Sequence, residues 1–327
     1  MFYLVSLGEV MLRLSPPKYE RLRQASSFAV RLCGAQFNVA ANLALLGKQT
    51  AFLSQLPANE LGLLARSTGM SYGIDMAHVR LVPGTRMGVV YVDFAADPRA
   101  STHLYDRQGS AASTMTAADF PWLDILKETQ LAYTDGIFPG LSKKCREATL
   151  AFVRAAQQLG RPLCFDMNYR ETIWTPAEAS EVYKQILPAV DVLVTNRTVS
   201  ERILGWQGSN EDTARRYRGE FGCQTVCLTT RQMSGGSHGV WESLALHKDQ
   251  IVYGRPFEFE VVDRFGTGDA FFAGFLYAYL DHEVGFALDF GNALCSLAHT
   301  IEGDVVHASV DEIMALLQGN SGERLKR

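Results

Sequence analysis

Short apolar runs recur along the chain and are separated by longer amphipathic stretches. Runs of strand length lie at residues 3–7, 50–54, 131–134, 163–166, 191–195 and 225–229. Helix-like patterns lie between many of them, at residues 38–47, 142–159, 177–187 and 269–280. Because strands that alternate with helices usually connect in parallel, the pattern predicts an α/β fold whose mostly parallel central sheet is flanked by helices.

Two segments depart from this alternation. Residues 10–32 carry apolar positions on both sides of a Pro-Pro pair, and residues 86–110 contain a β-branched and aromatic run at 87–94. Both segments are predicted to form strands outside the main sheet. Placed over the carboxyl ends of the parallel strands, where open α/β sheets bind ligands, such strands would form a small β lid.

The length and composition indicate one folded unit. The chain has 327 residues, of which 47% are hydrophobic, so it can bury a sizeable core. It carries no internal repeat and no interdomain linker, and we predict a single domain over residues 1–318. Residues 319–327, which include Gly, Asn, Ser, Lys and Arg, predict a frayed C-terminal tail.

Charge and cysteine usage exclude several classes of protein. The formal net charge of −4 gives no broad basic field, so we expect neither nucleic acid nor an anionic membrane as a partner. No apolar stretch is long enough to span a bilayer, and the first run lacks the features of a secretory signal. The six cysteines include no Cys-x-x-Cys pair. We therefore expect a cytoplasmic protein without disulfides or structural zinc.

The most informative motif is residues 263–269, Asp-Arg-Phe-Gly-Thr-Gly-Asp, which precedes an apolar helix. Gly266 and Gly268 allow a turn whose backbone N–H groups point outward, and the helix adds the positive end of its dipole. This anion hole suits a transferring phosphoryl group, and Asp269 beside it can accept the proton of an attacking hydroxyl. An ordinary glycine turn with a capping aspartate would explain the same residues.

A second polar group follows the first strand, at the start of the helix predicted near residue 38. Gly34 would let the backbone approach a sugar closely, and Asn38 offers a donor and an acceptor to neighbouring hydroxyls. The alternative for Asn38 is a helix-start residue that bonds local backbone.

Arginines and tyrosines cluster in the predicted lid, and one more arginine follows the strand at 163–166. These residues are Arg86, Tyr91, Tyr105, Arg107 and Arg170. Since a guanidinium pairs bidentately with a carboxylate, the set favours an anionic sugar. Each arginine taken singly also fits a solvated surface charge.

Other nucleotide-binding signatures are weak or missing. Thr229 and Arg231 close a predicted strand, where they would either meet phosphate oxygens or form an ordinary turn. The chain lacks the Walker motif and the protein-kinase loops, and the first strand lacks a dinucleotide fingerprint, which argues against a dehydrogenase. The seven histidines show no paired metal spacing.

Two motifs together indicate a family. They are residues 34–40 (Gly-Ala-Gln-Phe-Asn-Val-Ala) with Leu-Gly at 46–47, and residues 263–271. Through them the chain resembles the ribokinase-like (PfkB) carbohydrate kinases over essentially its full length. Within that family it is most similar to the 2-keto-3-deoxygluconate kinases, through residues 8–17, 104–107, 166–170 and 300–304.

The resemblance implies a three-layer ribokinase-like fold with a β lid, and transfer of the ATP γ-phosphate to a primary sugar hydroxyl. Its most specific implication is phosphorylation of 2-keto-3-deoxygluconate to the 6-phosphate. Asp269 would be the base. The backbone amides of Gly266, Thr267 and Gly268 would stabilise the transferring group.

The resemblance also implies roles for further residues. The sugar acid would be held by Gly34, Asn38, Tyr91, Tyr105, Arg107 and Arg170, with Arg107 and Arg170 as partners of its carboxylate. The nucleotide would be held by Asn196, Thr229 and Arg231 together with Gly266 and Gly268. Asp263 would help to hold a monovalent cation such as K⁺. The lid often pairs between two subunits in this family, so a homodimer is expected.

Three positions depart from the family pattern. Cys33 stands where a glycine is usual, and Thr267 stands where Ala or Gly is usual. Val199 takes the place of an acidic residue that the family uses for magnesium and phosphate, and the nearest carboxylate is Glu201. We therefore expect Mg²⁺ to be held mainly by the nucleotide phosphates and water.

Other functions stay open. A kinase of fructose or another neutral sugar needs no partner for a carboxylate. A non-catalytic sugar-binding or regulatory protein would explain Val199, but not the presence of Asp269 beside two glycines. A nucleoside kinase is disfavoured, because clustered arginines gain little from an uncharged nucleoside.

Overall fold

The computed structural model describes residues 1–96, 98–235 and 237–319. Its strands are β1 (Phe2–Leu7), β2 (Met11–Ser15), β3 (Ala29–Cys33), β4 (Thr50–Pro57), β5 (Ile74–Asp75), β6 (Val79–Val82), β7 (Val89–Asp93), β8 (Thr102–Asp106), β9 (Thr129–Asp135), β10 (Leu163–Asp166), β11 (Val192–Thr195), β12 (Thr225–Met233), β13 (His238–His247), β14 (Gln250–Tyr253) and β15 (Phe257–Glu260). Its α-helices are α1 (Ala35–Leu45), α2 (Glu60–Ser71), α3 (Trp122–Leu126), α4 (Lys143–Gln158), α5 (Pro176–Ile186), α6 (Arg197–Leu204), α7 (Asn210–Phe221), α8 (Thr267–Tyr279), α9 (Val284–His299) and α10 (Val310–Leu317).

The central sheet has the strand order β14-β13-β12-β11-β10-β9-β1-β4-β5, with β15 paired to β13 and β6 paired to β4. The strands from β12 to β5 along this path run parallel, and β13 is antiparallel to its neighbours β12, β14 and β15. All six apolar runs expected to be strands lie in this sheet, which confirms the mostly parallel α/β prediction.

Helices cover both faces of the sheet, because alternate side chains of the central strands point in opposite directions. In β1, Val5 and Leu7 enter the core formed with α4, α5 and α7. Leu4, the residue before Val5, enters the core formed with α1, α8 and α9 on the other face. The three layers thus follow from strands that are apolar on both faces. No helix in the described ranges is both long and apolar enough to cross a bilayer.

A separate four-stranded sheet has the order β3-β2-β7-β8. Its strands come from the two segments expected to form the lid. β2 is antiparallel to β3 and parallel to β7, and β7 is antiparallel to β8. The register places Tyr105 opposite Val90 on one face, and Leu104 opposite Tyr91 on the other. Of the tail expected at 319–327, the part from residue 320 onward lies outside the described residues.

Candidate active site

A cleft of about 1120 Å³ opens at the carboxyl ends of the parallel strands, between the start of α8 and the lid. Its walls include Asp166 at the end of β10, Thr195 at the end of β11, Thr229 in β12, His103 and Tyr105 in β8, and residues 264–269 before and within α8. This is the edge of an open α/β sheet at which ligands bind.

The turn before α8 requires glycine at position 266. Gly266 has a φ of +73°, and a Cβ there would lie 2.3 Å from the backbone oxygen of Asp304. At Gly268, by contrast, a Cβ would meet nothing within 4 Å. No side chain among the described residues caps the start of α8. Its first N–H groups, including that of Thr267, are therefore available to an anion in the cleft.

Asp269 lies in the first turn of α8 and lines the cleft, although only 9% of its surface is exposed. Burial raises the pKa of Asp269 to about 6, and a hydrogen bond from Asn38 opposes that rise. A carboxyl group with this pKa is ionised at neutral pH and is a stronger base than an ordinary aspartate. It can therefore accept a proton from a hydroxyl.

Asn38 connects α1 to this base. Its Nδ2 donates to Oδ2 of Asp269 over 2.7 Å, so its side chain does not bond local backbone as the alternative interpretation required. The residue is 2% exposed, and its Oδ1 has no hydrogen-bond partner within the described ranges. A buried oxygen without a partner carries a desolvation cost, so Oδ1 is an acceptor open to a ligand hydroxyl.

Two further carboxyl groups near Asp269 were missed by the sequence interpretation. Asp135 ends β9 and accepts hydrogen bonds from the side chains of Gln36 and Asn168. Asp166 ends β10 and lines the cleft; burial and then the charges of Asp135 and Asp269 raise its pKa to about 8. Their positions at the carboxyl ends of two neighbouring strands were the signal that could have identified them.

Arg170 lines the same cleft as Asp166 and Asp269. Its guanidinium donates to the backbone oxygen of Tyr169 over 3.3 Å, and within the described ranges it forms no salt bridge. Its positive charge lowers the pKa of Asp135, Asp166 and Asp269, less strongly than burial raises them. Arg170 therefore presents a guanidinium that can still pair with an anionic ligand.

Arg107, expected to share that task, is engaged elsewhere. Its Nε donates to Oε2 of Glu9 over 2.9 Å, and its Nη2 pairs with the same oxygen. Ser110 holds the other oxygen of Glu9. Gly34 packs behind this group, since a Cβ there would lie 2.2 Å from the backbone oxygen of Glu9. The structure thus pairs the Arg107 fork with Glu9 rather than leaving it open beside Arg170, and backbone packing requires glycine at position 34.

The two lid tyrosines face opposite ways. Tyr105 lines the cleft and lies over the guanidinium of Arg107, 5.5 Å from it. Tyr91 lies on the other face of the lid and packs edge-on against Phe28, with ring centres 6.0 Å apart. The expectation that Tyr91 contacts the sugar together with Tyr105 is therefore not met in this arrangement. Successive residues of a strand point to opposite faces of its sheet, and Tyr91 pairs with Leu104, the neighbour of Tyr105, so the two tyrosines face opposite ways.

Comparison with known proteins identifies the family. Residues 1–307 match the pfkB family carbohydrate kinases. The chain belongs to this family. It is 34% identical over 317 residues to the 2-dehydro-3-deoxygalactonokinase of Haloferax volcanii, covering 97% of this chain and 96% of that protein. The 5-dehydro-2-deoxygluconokinase of Clostridium perfringens is 26% identical, with 90% and 86% covered.

A solved structure agrees with the pfkB assignment. The 2-dehydro-3-deoxygluconokinase of Thermotoga maritima superposes with a TM-score of 0.93 at 32% identity, covering 98% of this chain and 99% of that one. The enzyme class inferred from the sequence, a carbohydrate kinase, and the ribokinase-like fold are both confirmed.

The residues expected to hold the nucleotide also line the pfkB cleft. Asn196, Thr229 and Arg231 line it together with Trp241. The side-chain oxygen of Asn196 accepts the N–H of Val199 over 2.9 Å, so Asn196 caps α6 and keeps only its amide donors for a ligand. Burial and then the neighbouring Arg264 lower the pKa of Arg231. Both arginines line the cleft, so the cleft carries positive charge on this side.

Metal ligands are sparse at this site. Val199 lines the cleft where the pfkB pattern has an acid, and Glu201 is exposed on α6. The described residues contain no group of three or more His, Cys, Asp or Glu side chains placed to hold a metal ion. Residues of the protein alone thus offer little for a resident Mg²⁺.

Asp263, expected to hold a monovalent cation, has its acceptor sites filled. Its Oδ1 accepts the N–H of Arg264 at 2.6 Å and of Phe265 at 3.0 Å. Its Oδ2 accepts the N–H of Gly303 at 3.0 Å and pairs with the guanidinium of Arg13. A carboxylate offers about four lone-pair sites, so no acceptor is left for a metal cation. This arrangement argues against the expected bond from Asp263 to a monovalent cation.

Proposed function

We propose that this pfkB protein is an ATP-dependent kinase that phosphorylates the primary hydroxyl of a 2-keto-3-deoxy sugar acid, with 2-keto-3-deoxygluconate as the first candidate. The observation that carries the proposal is the meeting of three groups in one cleft: the proposed base Asp269, the start of α8, which no described side chain caps, and the guanidinium of Arg170, which forms no salt bridge within the described ranges. The names of the Haloferax and Thermotoga relatives, both kinases of 2-dehydro-3-deoxy sugar acids, support the same substrate class.

The residues of the chain divide the chemical work. Asn38 accepts a hydrogen bond from a sugar hydroxyl through Oδ1, while its Nδ2 holds Asp269. Asp269 takes the proton of the primary hydroxyl as that oxygen forms its bond to the γ-phosphorus and the bond to the ADP oxygen breaks. The N–H groups of Thr267 and Gly268 and the dipole of α8 stabilise the negative charge on the transferring group.

The nucleotide would lie along β11 and β12, where Asn196, Thr229 and Arg231 offer donors to its phosphates. Mg²⁺ bound to the nucleotide would neutralise charge on the β- and γ-phosphates. Val199 offers no oxygen ligand in this part of the cleft, so Mg²⁺ would be held mainly by the phosphates and water.

Arg170 would pair with the substrate carboxylate. It is exposed to the cleft and is not committed to another side chain in the described ranges. Arg107 would act behind it, holding Glu9 and the ring of Tyr105 in place. One guanidinium, rather than two, would then bind the substrate carboxylate.

The test is ADP release with Mg²⁺–ATP across 2-keto-3-deoxygluconate, 2-keto-3-deoxygalactonate, fructose, ribose and adenosine. We expect turnover of one or both keto-deoxy acids, with kcat/KM at least about tenfold above that for any neutral sugar. Equal or better turnover of fructose would replace this proposal with a neutral-sugar kinase. Binding of sugar without turnover of any substrate would favour the non-catalytic alternative.

The proposal includes a homodimer through the outer face of the lid. Val30 is 55% exposed and Leu104 is 60% exposed there, beside Phe28 and Tyr91. An apolar sheet face of this kind is stabilised when a second copy covers it. We expect a dimer by light scattering that Leu104→Glu converts to a monomer. Met70→Glu, at an equally exposed apolar position on α2, is the control and should leave the dimer intact.

A further inference from the structure

The side chain of Arg13 leaves lid strand β2 and lies buried beside the turn before α8, with 1% of its surface exposed. Its Nη1 donates to Oδ1 of Asp304 over 2.6 Å, and its Nη2 pairs with Asp263. The guanidinium carbon lies 4.7 Å from the ring centre of Phe265 and 5.0 Å from that of Phe94. A buried guanidinium is tolerated where it is paired, and Arg13 has two carboxylates and two ring faces.

Both carboxylate residues are in contact with the turn that would bind the phosphoryl group. Asp263 accepts the N–H groups of Arg264 and Phe265, which lead into the turn. The backbone oxygen of Asp304 lies against Gly266, at 2.3 Å from the position of a Cβ. A displacement of either aspartate would therefore move the turn.

These aspartates need a cation near them. Burial and then the charges of Asp263 and Asp269 raise the pKa of Asp304 to about 6, and Arg13 is the largest opposing influence. Without Arg13, ionised carboxylates would face one another beside a site that must receive phosphate. Their repulsion would destabilise the turn before α8, and their negative charge would disfavour binding of the phosphate.

We propose that Arg13 is a positioning residue for phosphoryl transfer, whose guanidinium serves as the fixed cation of the turn in the place expected for a monovalent metal ion. Catalysis then requires no K⁺. The same guanidinium joins the lid to the turn, through Phe94 on one side and Phe265 on the other. Turnover is one readout of this idea, which to that extent rests on the proposed kinase function.

The first test uses the unaltered protein. Initial rates are compared in KCl and in tetramethylammonium chloride at equal ionic strength, with ATP free of alkali metal. We expect kcat to agree within about twofold and the melting temperature to be insensitive to K⁺, because a cation that does not bind the folded state cannot stabilise it. A several-fold rise in kcat, or a rise in melting temperature that is specific to K⁺, would overturn the proposal.

The second test removes the guanidinium of Arg13 by substitution. Arg13→Ala should lower kcat by about 100-fold while the KM for the sugar changes by less than about threefold, because Asn38 and Arg170 are untouched. Added methylguanidinium should raise both kcat and the melting temperature of Arg13→Ala and neither value in the unaltered protein. Arg13→Lys keeps a cation with fewer donors and should lose only about tenfold in kcat.

The outcomes separate this idea from the proposed function. A folded Arg13→Ala with unchanged kcat, or one whose loss lies in KM alone, would contradict a positioning role. If Arg13→Ala does not fold, the cation comparison on the unaltered protein and the kcat of Arg13→Lys still test whether Arg13 is a positioning residue. If none of the sugars is turned over, the proposed function fails, and the melting temperatures alone then test the cation role because they need no substrate.

Discussion

The Nδ2 group of Asn38 donates to Oδ2 of Asp269 over 2.7 Å, which couples the first helix of the chain to the proposed base at the start of α8. The two residues are 231 positions apart in the sequence. The bond favours the ionised form of Asp269 and leaves Oδ1 of Asn38 open to a ligand. One side chain thus tunes the base and offers an acceptor beside it.

The role of Asp269 as base predicts the effect of Asp269→Asn. We expect kcat to fall by about 1000-fold with little change in the KM for sugar or ATP, because the substitution keeps the shape and removes the proton acceptor. The variant should be at least as stable as the unaltered protein, since a buried carboxylate is removed. Stopped-time ADP assays and thermal melts check both points, and residual activity within tenfold would contradict the assignment.

The pKa of Asp269 predicts the pH profile. Because the base must be ionised and its pKa is about 6, kcat/KM should rise with pH up to about 6 and level off above it. Removing the Asn38 bond should raise the pKa of Asp269, so Asn38→Leu should move this acid limb to higher pH by roughly one unit.

Asn42→Leu is the matched control for that shift. Asn42 lies one turn later on α1 and accepts the backbone N–H of Val306 over 2.9 Å. Its loss should lower stability without moving the acid limb. A similar shift in both variants would mean that the profile reports folding rather than Asp269.

Arg170 should make the protein prefer a sugar acid over a neutral sugar. We expect Arg170→Gln to lower kcat/KM for a keto-deoxy sugar acid by roughly 30-fold, about 2 kcal/mol, because a charged hydrogen-bonded pair is lost. Activity on a neutral sugar should fall much less. Arg202→Gln, at an exposed arginine of the same cleft that pairs with Glu171, is the control. An equal loss on charged and neutral sugars would speak against carboxylate recognition.

The two glycines of the turn should differ sharply when a methyl group is added. Gly266→Ala forces a φ of +73° on a non-glycine residue and a contact with Asp304, so we expect a loss of at least about 2 kcal/mol in the free energy of unfolding. Gly268→Ala meets open space inside a helix and should cost no stability. Urea unfolding of both variants checks this, and equal losses would contradict the geometry of the turn.

Asp166 should make the protein less stable as pH rises. Its pKa in the fold is about 8, against an ordinary value of 3.8, so between those values unfolding releases a proton and becomes more favourable with pH. Asp166→Asn cannot ionise, and its free energy of unfolding should therefore fall less between pH 5 and pH 8. The exposed Asp124→Asn is the control. Parallel declines in Asp166→Asn and the unaltered protein would contradict the raised pKa.

Local patterns predicted much of this molecule. The period of apolar positions located the strands β1, β4 and β9 to β12, because a strand buried on both faces must be apolar throughout. Gly266 before α8 marked the position of the turn, since few residues other than glycine adopt a left-handed φ beside a helix start. The lid segments were recognisable because they broke the alternation.

The partners of charged side chains were harder to predict. Arg107 and Glu9 are 98 positions apart, and nothing local shows that the fork of Arg107 is occupied. Tyr91 and Tyr105 are equally polar in the sequence, yet strand parity sends only Tyr105 to the cleft. Asp135 and Asp166 end ordinary apolar strands, and their proximity follows from the pairing of β9 with β10.

The sequence by itself determined the layered fold and the position of the turn, and it singled out the proposed base, because each depends on backbone preference and apolar period over a few neighbouring residues. Only the tertiary structure decided which arginine is open to a ligand and which arginine pairs with Asp263. It also decided which carboxyl groups are buried close to Asp269. Those properties depend on distance and burial, and chain folding sets both between residues that are remote in sequence.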